Sequence, residues 1–326
     1  MLYPLKFKPR LKERIWGGSI LAEKKGKAAG RIDHTKSYGE SWDLSCVKGD
    51  ISSVAAGMLK GNNLEELIEV YMGDLVGEKV FEEYGLEFPL LIKTLDCNDV
   101  LSVQVHPDDE LAAERHNSLG KTEMWYVTSC EDGAAIYIGF NRDVTREEYL
   151  DSVSSGRLVE LLNRVEVKAG DAFFIPAGLV HALGKGVQVV EIQQTSDVTY
   201  RIYDWDRVDN EGKSRELHTA LAVDAIDFSI RPEDSVCRYA AEANKSVEIA
   251  KCKYFTTNML QVDGEIVKDY ASLDSFVILM CIGGEVAIEA DGTEEKMSDG
   301  DVVLLPAEFN EVSLKGSAKL LEVYIG

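Results

Sequence analysis

Four side chains in this sequence have the types and spacing to hold a divalent metal ion. His181 closes the run Gly170-Asp-Ala-Phe-Phe-Ile-Pro176-Ala-Gly178-Leu-Val-His181. Gly170-Asp171 predicts a turn, Ala172 to Ile175 a short strand, and Pro176-Ala-Gly178 a bend that leads His181 into a return strand. Upstream, Val100-Leu-Ser-Val-Gln-Val-His106 alternates strictly. Leu101, Val103 and Val105 share one face; Ser102, Gln104 and His106 share the other. A polar row on a half-buried strand points to a bound ligand. Lys121-Thr-Glu123-Met-Trp125-Tyr-Val127 reads as another strand, with Lys121 and Glu123 on one face. Gln104, His106, Glu123 and His181 then make one N/O donor set with a single formal negative charge. Such a set suits Zn²⁺, Fe²⁺ or Mn²⁺ and leaves room for a substrate. Each residue also has an ordinary reading. An inward histidine can be satisfied by the core, Glu123 can pair with Lys121, and Gln104 can orient His106 without touching the ion.

The elements that must position these groups are legible in part. Phe88 to Leu95, Val187 to Gln194 and Thr199 to Trp205 read as strands. Asn63 to Tyr84 reads as a helix, with Leu64, Leu67, Ile68, Tyr71, Leu75 and Val76 at helical spacing and Asn62 or Asn63 as cap. Gly73 and Gly77 offer places to break it. Pro107 to His116 predicts a short helix with acids in its first turn. Thr145-Arg-Glu-Glu148 is a capping box opening a helix through Leu162. Residues 23 to 37, rich in Lys and Gly, are expected to form a flexible loop.

Composition bounds the rest. The chain has 326 residues, enough for one or two cores, and a net charge of −22, which argues against nucleic acid and anionic membranes. Residues 1–36 hold ten Lys/Arg against three acids, a local +7 that leaves −29 elsewhere. That segment is either a solvated basic arm or a means of drawing in an anion. No run approaches a membrane span and no apolar signal core is present. The six cysteines are scattered without a C-x-x-C pair, as expected of reduced cytosolic thiols. A cytoplasmic protein is expected.

The run from Gly170 to His181 matches the second signature of the cupin barrel, which aims His181 inward. Gln104-Val-His106-Pro-Asp108, Gly120-Lys-Thr-Glu123 and that signature, in this order, resemble type I mannose-6-phosphate isomerase, a zinc-dependent cupin family. The resemblance extends to Trp16-Gly-Gly18, Gly39-Glu-Ser-Trp42, Pro89-Leu-Leu-Ile-Lys93 and Tyr200-Arg201-Ile-Tyr-Asp-Trp-Asp-Arg207. One departure from cupins in general is plain: Gln104-Val-His106 stands where His-x-His is usual, and Glu123 follows a helical insertion.

The resemblance implies a mainly β fold of two jelly-roll barrels with helical insertions, about 62–84 and 145–163, in the N-terminal part. It implies one zinc ion per chain at Gln104, His106, Glu123 and His181. Arg201 and Lys121 would be catalytic; Ser102, Lys93 and Arg207 would hold a substrate phosphate. Arg207 departs from the family's long forms, which carry lysine there. Trp16, Trp42 and Trp125 are candidates for the pocket wall, with core packing the plainer role for Trp125. His34, His116 and His218 are expected at surface or capping positions.

An internal repeat sets the second boundary. Gly170-Asp-Ala-Phe-Phe-Ile-Pro-Ala aligns without gaps on Gly300-Asp-Val-Val-Leu-Leu-Pro-Ala, and Glu311 stands where His181 stands. We therefore expect a catalytic unit over 1–240 and a degenerate, metal-free second barrel over 245–326. The implied activity is interconversion of mannose 6-phosphate and fructose 6-phosphate through an enediolate, by a monomer or homodimer. Two alternatives remain open. A two-His, one-Glu set also suits an Fe(II) dioxygenase, although four cations exceed what an apolar substrate needs. A non-catalytic sugar-phosphate-binding cupin is the other.

Overall fold

The computed structural model describes residues 2–30, 32–208 and 211–326. Among these the named strands form three antiparallel sheets. The first runs Val236–Cys237, Ala172–Ile175, Glu123–Cys130, Val187–Gln194, Leu90–Cys97, Tyr38–Leu44, Arg10–Gly18. The second, five-stranded, runs Tyr200–Tyr203, Val103–Val105, His181–Leu183, Ala135–Phe140, Leu162–Glu166. The two face one another as the expected jelly roll, in the form of an open sandwich; no ladder joins the two sheets' edges among the described residues.

The central strands of the first sheet, Leu90–Cys97, Val187–Gln194 and Glu123–Cys130, are buried on both faces, which explains their apolar sequences. On one side Leu95, Trp125, Val127 and Val189 meet Ile136, Ile138 and Leu183 of the second sheet. On the other, Ile92, Met124, Tyr126 and Ile192 meet Leu64, Leu67 and Ile68 of the helix Leu64–Val76. Ile278 and Leu321 of the third sheet, with Phe255 and Phe276 just before two of its strands, complete that core. Alternation along Glu123–Cys130 thus sends Glu123, Trp125 and Val127 toward the sandwich interior and Met124 and Tyr126 away from it.

The third sheet holds Val302–Leu305, Val277–Ala290, Glu311–Tyr324, Thr256–Asp269 and Ser246–Lys251, with Thr293–Ser298 beside Val277–Ala290. It encloses its own core of Leu260, Leu279, Ile288, Leu314 and Leu320. Its outer strand is Leu5–Lys6, pairing Leu5 with Leu304 and Lys6 with Val303.

The helix expected over 63–84 is two helices, Leu64–Val76 and Glu78–Tyr84. Asn63 caps the first in a reciprocal capping box with Glu66, and Met72 adopts φ +46° at a kink within it. Gly77, at φ +97°, separates the two; a Cβ there would lie 2.4 Å from the Asp274 carbonyl oxygen. Thr145 caps Arg146–Ser154 as expected, but that helix ends before Gly156, a separate turn Leu158–Leu161 follows, and Leu162 begins a strand.

The segment 23–37 departs most from expectation, with Arg31 outside the described residues. A helix, Ile20–Ala29, covers its first part and buries Leu21, Ala22, Lys25 and Gly26. A buried lysine is costly unless paired. Lys25 Nζ donates to Asp43, and to Thr94 Oγ1 at 2.8 Å, so a charged position joins the buried face. Apolar spacing alone does not reveal such a face.

Candidate metal centre

Two cross-strand rows build the site. Residues directly opposite in a ladder share a face. On the second sheet His181 pairs with Gln104, and Gln104 with Arg201. On the first sheet Trp42 pairs with Lys93, Lys93 with Glu191, and Glu191 with Trp125. One register further on, Gln193 pairs with Glu123.

Among the described residues, His106, Glu123 and His181 bring one donor atom each within 4.8 Å of the others. All three are at most 1% exposed. His106 Nδ1 lies 3.0 Å from the Val198 carbonyl oxygen and His181 Nδ1 lies 2.8 Å from that of Leu179. A carbonyl only accepts, so each Nδ1 carries the proton and each Nε2 presents a lone pair. Each Nε2 is 3.5 Å from a Glu123 oxygen. Those two nitrogens and both Glu123 oxygens are buried without hydrogen-bond partners. Four buried acceptors facing one point, with tautomers fixed from behind, are what a cation requires. The donor set fits a divalent ion of the zinc class.

The electrostatics agree. Burial drives His181 down to about 4 and, with Lys121, holds His106 well below 6.5, so both rings are neutral ligands. Burial and the neighbouring Glu191 push the Glu123 carboxyl up despite Lys121. A bound cation reverses that, because it favours the carboxylate.

Above this cluster opens a cavity of about 310 Å³. Its lining includes Ser102, Gln104, Lys121, Lys93 and Arg201. Lys121 Nζ is 3.5 Å from Glu123. Lys93 is buried, donating to Glu191 at 2.8 Å and to Gln193. Arg201 donates to the Glu216 carbonyl at 2.9 Å, and its buried Nε has no partner. The expected wall of Trp16, Trp42 and Trp125 is present. Trp125 also stands edge-on to His181, ring centroids 5.3 Å apart. Among the catalytic and phosphate candidates, Arg207 alone is not in the lining. Its guanidinium donates to the Val100 carbonyl at 2.6 Å and to Asp204 at 2.7 Å. His116 and His218 serve structure: His116 Nε2 lies 2.8 Å from the Tyr200 hydroxyl, and His218 Nδ1 accepts from the Arg201 amide at 3.1 Å.

The cavity also contains Arg14, Glu40, Glu191 and Arg215, to which sequence reasoning gave no role. Glu191 links Lys93 to the Trp125 indole, whose Nε1 donates to it at 3.0 Å. Burial opposes its ionisation, but Lys93 and Lys121 outweigh burial and keep it a carboxylate. Its signal was available: a lone acid inside the otherwise uncharged run Val187–Gln194. Glu40 takes Arg14 Nε at 2.7 Å and Trp42 Nε1 at 2.7 Å; Lys93 and Arg14 overcome burial and hold it at about 2. Arg215, clamped on Asp204, had no local signal.

An open jelly roll with a buried His/Glu donor set and a cation-lined cavity defines a metal-binding cupin. Family profiles narrow this. "Phosphomannose isomerase type I, catalytic domain" matches residues 4–133, and "Mannose-6-phosphate isomerase, cupin domain" matches 245–325. The mannose-6-phosphate isomerase ManA of Bacillus subtilis is 39% identical, with 98% of each chain covered. The mannose-6-phosphate isomerase of Streptococcus mutans is 32% identical, again over 98% of each. The crystal structure of the Bacillus subtilis mannose 6-phosphate isomerase superposes with a TM-score of 0.87 at 34% identity, over 99% of each chain. The chain belongs to the type I mannose-6-phosphate isomerase family.

Proposed function

We propose that this protein is a zinc-dependent aldose–ketose isomerase that interconverts mannose 6-phosphate and fructose 6-phosphate. The observation that carries the reading is the set of unpartnered buried acceptors on His106, Glu123 and His181 beneath a cavity walled by Lys93, Lys121 and Arg201. Gln104 completes the donor set in this reading; its place opposite His181 supports that. A bound zinc ion would supply Lewis-acid polarisation of the carbonyl beside the carbon that loses its proton.

The chain's own residues supply the rest. Arg201 is always charged, and its half-buried guanidinium suits the negative charge that develops in an enediolate. Lys121, beside Glu123, is the candidate for moving a proton at the C1 and C2 oxygens. Glu191, held ionised by Lys93 and Lys121, fixes the position of Lys93. Ser102 and Lys93 are proposed phosphate contacts. Arg207 lies outside the cavity lining, whereas Arg215, although also held by Asp204, lies in it, so we assign the remaining phosphate contact to Arg215. Each charge-assisted contact is worth about 1.5–3 kcal/mol. The tryptophans at 16, 42 and 125 exclude water from the reacting carbons.

We divide the chain into a catalytic unit over 1–240 and a metal-free unit over 245–326. Six free cysteines support a cytoplasmic setting, and no helix among the described residues is long and apolar enough to cross a membrane. The test is a coupled assay for fructose 6-phosphate, before and after chelation and with zinc restored. Activity lost on chelation and recovered with zinc is the expected result. An inactive protein shown to carry stoichiometric zinc would overturn the reading.

A further inference from the structure

We propose that Asp109 is a positioning residue through which the metal-free third sheet sets the geometry of the metal-ligand cluster. The inference rests on the metal-site reading above and gives the second unit a role in it. Asp109 is the first residue of the helix Asp109–His116, three positions after His106. Its carboxylate accepts hydrogen bonds from two directions. Oδ1 takes the Gly120 backbone N–H at 3.0 Å and Gln194 Nε2 at 2.9 Å. Oδ2 takes Lys253 Nζ at 3.1 Å and the Tyr254 hydroxyl.

The first direction leads to the ligands. Gly120 immediately precedes Lys121, and a Cβ on it would lie 2.6 Å from the Asp109 nitrogen, so this segment rests directly on the helix start. Lys121 N–H donates to the Pro107 carbonyl at 3.1 Å. Thr122 N–H donates to Gln194 Oε1 at 2.9 Å, and Gln194 N–H to the Thr122 carbonyl at 3.2 Å. Asp109 therefore grips both the segment carrying Lys121 and Glu123 and the glutamine that holds its other side.

The second direction leads to the third sheet. Lys253 and Tyr254 sit in the turn joining Ser246–Lys251 to Thr256–Asp269. That turn is closed by Cys252 N–H donating to the Phe255 carbonyl at 2.9 Å, and Phe255 is fully buried in the core shared with the first sheet. Tyr254 is thus a fixed donor. Lys253, with 73% of its side chain exposed, is an ordinary surface ion pair of little weight. A purely adhesive contact would have no reason to end on the carboxylate that also holds Gly120 and Gln194.

The experiment uses the full chain with Tyr254→Phe and Asp109→Asn, and Lys253→Met for comparison. Zinc affinity is measured by competition with a chromophoric chelator, alongside Tm of the metal-free protein, kcat and KM. Tyr254→Phe and Asp109→Asn should each weaken zinc binding about tenfold. Both should lower kcat with KM held within about twofold, the pattern of a misplaced catalytic group and not of lost substrate contact. Lys253→Met should change zinc affinity by less than either. Wild-type zinc affinity and kcat in both variants, with only Tm reduced, would overturn the proposal and leave a structural clasp. Should Asp109→Asn fold poorly, Tyr254→Phe, which removes a single oxygen, decides. Zinc affinity is read without substrate, so failure of the isomerase reading appears in the wild-type assay and failure of this inference in the variants' affinities.

Discussion

His181 and Glu311 open equivalent strands after equivalent turns, and of the two only His181 is buried. Gly170 and Gly300 hold φ at +93° and +90°. Asp171 Oδ2 accepts from the Lys168 amide at 2.9 Å, and Asp301 Oδ2 from the Ser298 amide at 2.9 Å. Ala172–Ile175 and Val302–Leu305 follow, then His181–Leu183 and Glu311–Tyr324. Turn geometry has been kept where the ligand has not.

Replacing each residue separates the two copies. His181→Ala should lose stoichiometric zinc and slow turnover by about a thousandfold or more, the equivalent of the several kcal/mol a Lewis acid supplies. Glu311→Ala, on the exposed side of the third sheet, should keep both. Metal analysis beside the coupled assay checks this; zinc retained in His181→Ala would remove that residue from the ligand set.

Arg201→Ala should keep its metal and lose most of kcat, by about a hundredfold, as expected for a lost charge-stabilising donor. Arg201→Lys should restore little of it, since an ammonium lacks the planar fork. A normal kcat in Arg201→Ala would exclude the guanidinium from the chemistry.

The phosphate assignment predicts a split between two arginines. Arg215→Ala should raise KM for the sugar phosphate by about tenfold or more, from one lost charge-assisted contact. Arg207→Ala should raise it less, because its side chain does not line the cavity. The reverse order, measured on purified variants of matched zinc content, would return the phosphate to Arg207.

Acid–base linkage gives the metal-free protein an unusual pH profile. The His106 and His181 values are lowered in the fold, so between about pH 4 and 6.5 the unfolded chain binds more protons and stability rises with pH. Glu123 is raised, so from 4.5 upward the folded chain holds its proton longer, and that contribution falls as pH climbs to the raised value. Two rising contributions outweigh one falling one up to 6.5, above which only the falling one remains. The cluster's share of stability should peak near pH 6.5. Zinc must displace the Glu123 proton, so its affinity should increase with pH across the same upper range. Denaturant titrations of chelated protein check the peak; stability added by the cluster above 6.5 would contradict it.

Gly178 tests the turn signature directly. It sits at φ +89°, and a Cβ would lie 3.0 Å from Asp227 Cβ and 3.1 Å from the Ala225 carbonyl. Gly178→Ala should cost about 1–2 kcal/mol in unfolding free energy, and it should weaken zinc binding through displacement of His181. An alanine variant of unchanged stability would mean the bend relaxes freely.

The sequence carried the site's ligands better than its surroundings. Glu123 and His181 each begin a strand and His106 directly follows Val103–Val105, so facing could be read from alternation. Lys93, Lys121, Ser102 and Arg201 followed for the same reason. Glu191 was passed over because a lone acid in an apolar run looks like an edge position until the opposing Lys93 is known. Arg215 lines the cavity and Arg207 does not; both lie beyond the last regular strand of the second sheet, where direction depends on Asp204 and not on periodicity. The helix Ile20–Ala29 was misread because its buried face includes a lysine that only a distant Asp43 makes tolerable.

The short strand Leu5–Lys6 has a consequence for how the molecule is made. It is hydrogen-bonded to residues 303–304, so it completes the third sheet and also feeds the first through Arg10–Gly18. The Lys6 carbonyl and Phe7 also pair with residues 54–55, but the ladder of Leu5 and Lys6 must wait for residues 303–304. Pairings so distant along the chain close slowly. The edge of the third sheet is therefore closed by a strand that belongs, along the chain, to the entry of the first, so closing one sheet depends on placing the other.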